Sequence, residues 1–253
     1  MNVLILAAGY ATRLYPLTEN RAKPLLEVAG KPMMEWVVDA LAPVPDIDCL
    51  YVVTNHKFAR DFQAWAEDYQ RRAPGLSFRV IDDGSTSPDN MLGAIGDIAL
   101  AIREAALKDD DLLVVAGDNL FSAPLDEFVQ YARRFPAAVG TYDVGTLEQA
   151  RKYNTIRTDG EGCLQYFEEK PLEPNGTISA IALYYFSRPV VAQFSTYLAE
   201  GNNPDQPGRF IQWLHQRLPV FTYPIRGTWF DVGSKESLER ADELFRKFAP
   251  AEV

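Results

Sequence analysis

In the first half of the chain, short apolar runs at 3–8, 49–54, Phe78–Asp82 and Leu112–Ala116 each close on glycine or polar residues. A continuous apolar run of this length is how a strand buried on both faces reads, because neither side can carry polar groups. Between these runs the period changes. In Met33–Leu41 the apolar side chains Met34, Val37, Val38 and Leu41 recur at helical spacing, and 58–69 does the same with Phe58, Phe62, Trp65 and Tyr69. A third helical pattern, 92–107, is rich in alanine and leucine and has Asn90 as its cap. Strands alternating with helices predict right-handed βαβ units, a mainly parallel sheet and a ligand site at the carboxyl ends of the strands.

The second half reads differently. Segments 137–142, Asn154–Thr158, 163–168 and Ile178–Phe186 are strand-like, with turns at Asp159-Gly160 and at Pro174-Asn175-Gly176, so strands are added in mixed or antiparallel fashion. Helices are expected at 189–198, 209–218 and 235–248, with a short strand near 229–230. Segment 201–208 is the most loop-like and reads as a mobile edge of a site. The expected fold is α/β: a Rossmann-like three-layer αβα arrangement with a mixed, mainly parallel central sheet and a small β subregion, in one domain spanning 1–253.

Composition narrows the function. At 253 residues with 47% hydrophobic content, the chain is long enough to bury a large core. A net charge of −10 and the lack of a Lys/Arg cluster exclude nucleic acid as the main partner, so any phosphate-bearing ligand must be held locally. Cys49 and Cys163 stand in no metal-ligand spacing and read as apolar fillers in a reducing compartment, which excludes a disulfide framework. The run 3–8 is too short for a membrane span and lacks a signal peptide's basic flank and cleavage site, so a cytoplasmic protein without a membrane partner is expected.

Chemistry concentrates at strand ends. The loop Gly9-Tyr10-Ala11-Thr12-Arg13-Leu14 follows the first strand, so its amides and Arg13 face the place where α/β folds bind nucleotides. It is neither a Walker A loop nor a three-glycine dinucleotide fingerprint. Gly117-Asp118-Asn119 ends the fourth strand, and Trp229-Phe230-Asp231-Val232-Gly233-Ser234 supplies a second acid. Each aspartate could simply cap a turn or a helix, but two carboxylates without histidine or cysteine suit magnesium better than zinc. Phe167-Glu168-Glu169-Lys170-Pro171 places a carboxylate, able to accept two hydroxyl protons, beside a phosphate-gripping cation. His56 starts a helix and His215 lies within one, so neither is assigned a role.

The loop is followed by Pro16-Leu17-Thr18, Lys23-Pro24-Leu25-Leu26 and Gly30-Lys31-Pro32, and the stretch 6–32 as a whole resembles the signature of the sugar-1-phosphate nucleotidylyltransferases. The resemblance implies that 1–136 binds the nucleotide and 137–253 the sugar phosphate, with the small β subregion on the sugar side. It implies catalytic roles for Arg13, on the β and γ phosphates, and Lys23, near the reacting phosphorus. It further implies a nucleotide-binding set of Leu6, Ala7, Ala8, Gly9, Tyr10, Ala11, Thr12, Arg13, Asp83, Gly84, Asn90 and Gly93. Asn119, Asn154, Glu169 and Lys170 would hold the sugar phosphate, and Asp118 and Asp231 the metal, Mg2+.

Three positions depart from the family pattern: Ala11 replaces a second glycine, Ala22 a frequent proline, and Asn154 a frequent glycine after tyrosine. Alanine at position 11 allows a phosphate to approach closely provided its φ is negative, and that is the expectation. A carboxylate at Asp82 or Asp83 can accept from the imino proton of uracil, thymine or guanine, or from the amino group of cytosine, which leaves the base open. Related thymidylyltransferases commonly use a glutamine and a longer loop there.

The implied reaction joins a nucleoside triphosphate to a sugar 1-phosphate and releases pyrophosphate, by in-line attack on the α phosphorus. Because the second pKa of a phosphate monoester is about 6, the attacking dianion needs no general base. Other readings are cytidylyl transfer to a non-sugar phosphomonoester such as phosphocholine or inositol phosphate, and a non-catalytic nucleotide-sugar-sensing subunit. A metal-dependent glycosyltransferase needs no triphosphate loop. Relatives commonly assemble as dimers or tetramers, so a homo-oligomer is expected; a carboxyl-terminal left-handed β-helix, present in some relatives, is not.

Overall fold

The computed structural model describes residues 1–249. In Asn2–Leu6 (β1), Val3 and Ile5 pack into one core while Leu4 packs into the other, as two-sided burial requires. The hairpin Glu27–Val28 (β2) and Lys31–Pro32 (β3) leads into Met33–Leu41 (α1). Leu50–Thr54 (β4), Ala59–Arg72 (α2), Phe78–Asp82 (β5), Ala94–Glu104 (α3) and Leu112–Ala116 (β6) complete the alternation. β1 lies parallel between β6 and β4, with Ile5 opposite both Val115 and Val52, and β5 is parallel to β4. The sheet grows from β1 first to one side and then, at β6, to the other. The crevice beyond the carboxyl ends of β1 and β6 is therefore the topological switch point, where such sheets bind ligands.

Asn119–Phe121 (β7) and Asp126–Ala132 (α4) follow, then Ala137–Asp143 (β8), Leu147–Ala150 (α5), Asn154–Thr158 (β9), Leu164–Glu169 (β10) and Ile178–Phe186 (β11). Arg188–Val191 (α6), Gln193–Ala199 (α7), Pro207–Leu214 (α8), Val220–Pro224 (β12), Trp229–Asp231 (β13) and Lys235–Phe245 (α9) close the described chain. The seven-stranded sheet runs β12-β8-β11-β6-β1-β4-β5, and β11 alone opposes its neighbours. The β9–β10 hairpin and a β7–β13 ribbon stand apart from it. The expected mixed, mainly parallel sheet with helices against it and a small β subregion is what forms.

One face of the sheet buries Val37, Leu41, Phe62 and Trp65 from α1 and α2. The other buries Ile95 and Ile98 of α3 with Phe194, Phe210 and Trp213. A third cluster clamps α9 onto the loop region through Leu14, Leu26, Trp36, Leu120, Val232 and Phe245, where Trp36 and Phe245 meet edge to face at 5.0 Å. Every helix expectation but that for α1 shifts in its bounds: 58–69 becomes α2, Ala59–Arg72, and 209–218 becomes α8, Pro207–Leu214. The helix at 92–107 begins only at Ala94, since Gly93 takes φ +78° against the Pro204 carbonyl. The helix at 189–198 is split into α6 and α7, and that at 235–248 ends at Phe245 before a 3-10 turn. Among the described residues no helix is long and apolar enough to cross a membrane.

Candidate active site

The loop after β1 is pinned from one side. Thr54 Oγ1 donates to Ala7 O at 3.3 Å, the Asn55 amide donates to Ala8 O at 3.0 Å, and Ala7 N–H is spent on Val53 O. The N–H groups of Ala8, Gly9, Tyr10 and Ala11 donate to no partner among the described residues. A row of free donors thus edges a cleft of about 720 Å³, lined by Leu6 and Ala8 through Leu14, together with Lys23, Gly93, Asp118 and Asp231. Ala7 lies buried beneath it, and Arg13 is exposed at its rim. Free N–H groups with a cation beside them suit a polyanion.

The expectation of a negative φ at Ala11 is overturned. Ala11 sits in the left-handed region at φ +48°, with its carbonyl accepting from Thr18 Oγ1 at 2.8 Å and Leu14 N at 2.9 Å. Such a backbone costs an L-residue roughly 1–2 kcal/mol relative to glycine, so the turn is held by its bonds rather than by the residue's preference.

Asp118 and Asp231, 113 positions apart, meet because β7 pairs with β13 and sets Asp231 opposite Asn119. The Asn119 amide donates to Asp118 Oδ1 at 3.2 Å and more weakly to Asp231 Oδ1 at 3.4 Å, while its own Oδ1 accepts from Trp229 Nε1 at 2.8 Å. Tyr153 Oη donates to the other Asp231 oxygen at 3.3 Å. Burial and the neighbouring charge of Asp118 both push Asp231 upward. Lys23 donates to Asp118; burial depresses its pKa, but the two aspartates more than reverse that and hold it protonated. The structure therefore unites Lys23, Asp118 and Asp231, and it uses Asn119 as the buried link between the acids.

Asp83 does not itself line the cleft; its Oδ1 accepts from both the N–H and the hydroxyl of Ser85, each at 2.6 Å. Tyr10 Oη donates to Ser85 O at 2.9 Å and ties this segment to the loop after β1. Gly84 takes φ +77°, and Asn90 caps a short turn by accepting from Thr86 and Ser87 N–H, so neither lines the cleft. Asp97 does line it, and the sequence reading missed it. Its signal was present: an aspartate lies among the buried residues of α3, between Ile95 and Ile98. Burial first, then Asp83 and Asp205, push its carboxyl up to about 8.

The third group lies at the end of β10. Glu169 Oε2 is buried without a partner, and burial raises the carboxyl to about 7 against the opposing pull of Lys170 and Arg209. Its backbone N–H donates to Gln212 Oε1 at 3.1 Å. A Cβ on Gly208 would lie 1.9 Å from Glu169 Oε2, so only glycine leaves room for this carboxylate. Lys170 is exposed at φ +50°. Asn154 comes near Glu169, but its amide is held by the backbone of Ala180, donating at 2.8 Å and accepting at 2.7 Å. His56 stays outside the cleft, paired with Asp82 at 2.6 Å, and His215 follows α8.

The chain resembles proteins built on the same plan. It is 25% identical over 233 residues to the bifunctional protein GlmU of Methanocaldococcus jannaschii, covering 92% of this chain and 51% of that protein. It is 27% identical over 230 residues to the mannose-1-phosphate guanylyltransferase catalytic subunit beta of Drosophila melanogaster, covering 91% and 58%. The chain thus spans between half and two thirds of the length of these relatives. A solved structure described as a glucose-1-phosphate thymidylyltransferase of Bacillus anthracis superposes with a TM-score of 0.86 at 24% identity, covering 100% of this chain and 98% of that one. A UDP-glucose pyrophosphorylase complexed with UDP-glucose superposes with a TM-score of 0.81 at 21% identity, covering 98% and 99%, and both likenesses confirm the fold. Residues 2–247 match the nucleotidyl transferase family model, and on this match the chain belongs to the nucleotidyl transferase family.

Proposed function

We propose that the protein is a magnesium-dependent nucleotidylyltransferase that couples a nucleoside triphosphate to a sugar 1-phosphate, giving a nucleoside diphosphate sugar and pyrophosphate. The observation that carries this reading is the meeting of Asp118, Asp231 and Lys23 beside a cleft edged by unpaired backbone donors. Two carboxylates and no histidine or cysteine form a hard-cation donor set, and a bound cation would offset the burial and the Asp118 charge that push Asp231 upward. Among the described residues no group of three or more such side chains is placed to hold a metal ion, so phosphate and water oxygens would have to complete the coordination. When bound there, magnesium supplies charge neutralisation on the triphosphate.

The chain's own residues do the positioning. The amides of Ala8 to Ala11 and the Arg13 side chain grip the β and γ phosphates, and Lys23 offsets charge at the α phosphorus. Lys170 holds the acceptor phosphate, and Glu169 accepts from hydroxyls of the acceptor. A dianionic phosphate needs no base, so one of its oxygens attacks the α phosphorus in line while pyrophosphate leaves opposite. The two free cysteines in no bridge agree with action in the cytoplasm.

The test is pyrophosphate release with magnesium across ATP, CTP, GTP, UTP and dTTP, each against several hexose 1-phosphates and phosphocholine. Turnover of one pair, lowered about a hundredfold or more in Lys23→Ala, supports the reading. Lys23→Ala with unchanged turnover removes Lys23 from the chemistry, and silence across every pair removes the reaction.

A further inference from the structure

Among the described residues, two of the three buried side-chain polar atoms without a hydrogen-bond partner are Asp83 Oδ2 and Asp97 Oδ1, and Asp97 lines the cleft. Asp83 Oδ1 is already saturated by Ser85, and the two carboxyls face one another closely enough to bond. One proton between the orphaned oxygens satisfies both, and it leaves Asp97 Oδ2 for the cleft that the residue lines. Asp97 is itself 94% buried, being 6% exposed, and makes no other side-chain bond. Asp205 adds a third acid from the segment before α8, and none of the charges acting on Asp97 is a cation. Pro88, Met91, Leu92 and Pro204 line the same cleft, so a planar ring finds apolar walls with a single acidic edge.

We propose that Asp97, tied to Asp83 by a shared proton, is the base-selecting residue and favours bases bearing an exocyclic amino group over uracil and thymine. The inference rests on the nucleotidyl-transfer reading above and deepens it. Adenine, cytosine and guanine each carry an amino group that can donate to Asp97 Oδ2, and guanine adds its N1–H beside the amino group. Uracil and thymine offer one imino N–H flanked by two carbonyl oxygens, and those oxygens would face the carboxyl oxygens of Asp97 and Asp205. A buried polar group left without its partner is what makes such discrimination large.

The experiment measures kcat/KM for the five triphosphates with the best acceptor, together with the melting-temperature shift each triphosphate causes, in the wild type, Asp97→Ala and Asp97→Asn. The wild type is expected to prefer an amino-bearing base by roughly tenfold or more over UTP and dTTP. Asp97→Ala should reduce that preference to within about threefold. Asp97→Asn should preserve the ranking, because its amide N–H replaces the shared proton toward Asp83 and its oxygen still faces the cleft. A wild type that prefers UTP or dTTP overturns the proposal whether or not the alanine variant folds, and so does a folded Asp97→Ala with the wild-type ranking. A wild type that neither turns over nor is stabilised by any triphosphate overturns the nucleotidyl-transfer reading itself. Turnover with an unaltered ranking in Asp97→Ala overturns the base assignment alone.

Discussion

Asp97→Asn should change how stability depends on pH, independently of any ligand. The wild-type carboxyl is held protonated to about pH 8 in the folded chain, against an ordinary value of 3.8. The folded state therefore binds a proton that the unfolded state has released, and stability falls by about 1.4 kcal/mol for each pH unit across that window. The contribution is complete below the unfolded value and is lost as pH rises through about 8. The full span is worth about 6 kcal/mol as an upper figure, and the stretch from pH 5 to pH 7 about 2–3 kcal/mol. Asparagine does not titrate, so the variant lacks this slope. Urea unfolding of both proteins at pH 5, 6, 7 and 8 gives the difference directly; Glu169, which also titrates near 7, is common to both and cancels. The asparagine variant should gain on the wild type steadily as pH rises. Parallel stability curves, with a constant gap from pH 5 to pH 8, would falsify the buried acid pair.

Three further outcomes follow from the geometry. Gly93→Ala should cost about 2–4 kcal/mol in urea unfolding, since its φ is +78° and the added Cβ would stand 2.7 Å from the Pro204 carbonyl; a loss below about 0.5 kcal/mol contradicts the contact. Trp229→Phe removes the donor that orients Asn119, and should raise the magnesium concentration for half-maximal activity about tenfold with little change in melting temperature; an unmoved magnesium requirement argues against Asn119 as the organiser of the dyad. In the wild type the acceptor KM should fall as pH rises through about 7 and Glu169 ionises to accept hydroxyl protons, whereas Glu169→Gln should show a raised KM lacking that inflection. If the two profiles keep the same shape, Glu169 does not meet the acceptor.

The parts that could be read from the chain are those whose pattern has one cause. β5, β6, α1, β9 and β11 fall on their expected bounds; β6 and β11 are buried along almost their whole length, which leaves no alternative period. β7 and β12 escaped notice, since three- and five-residue segments gain their strand character from a partner distant in sequence. The donor loop, Lys23, Asp118 and Asp231 are local in sequence and converge in the cleft. Asp97 was passed over because a single acid within an alanine-rich helix reads as a solvated face; its place between Ile95 and Ile98 hinted at burial, and the neighbouring Asp83 and Asp205 give that burial its chemistry. Ala11 illustrates the converse: its residue type argued for negative φ, while bonds from Thr18 and Leu14 impose the left-handed turn.

The ribbon between β7 and β13 has a consequence for how the protein comes into being. Asn119 and Asp231 pair across a loop of more than a hundred residues, so closing that contact carries one of the larger entropic penalties in the chain and gains nothing until β13 has been made. A ribosome-bound chain that has emerged only as far as α8 carries the donor-edged loop and Lys23 but a solitary Asp118. On the proposed reading, the capacity to hold a triphosphate and the capacity to process it would be acquired at different moments of synthesis, and the second would wait for the last of the described strands.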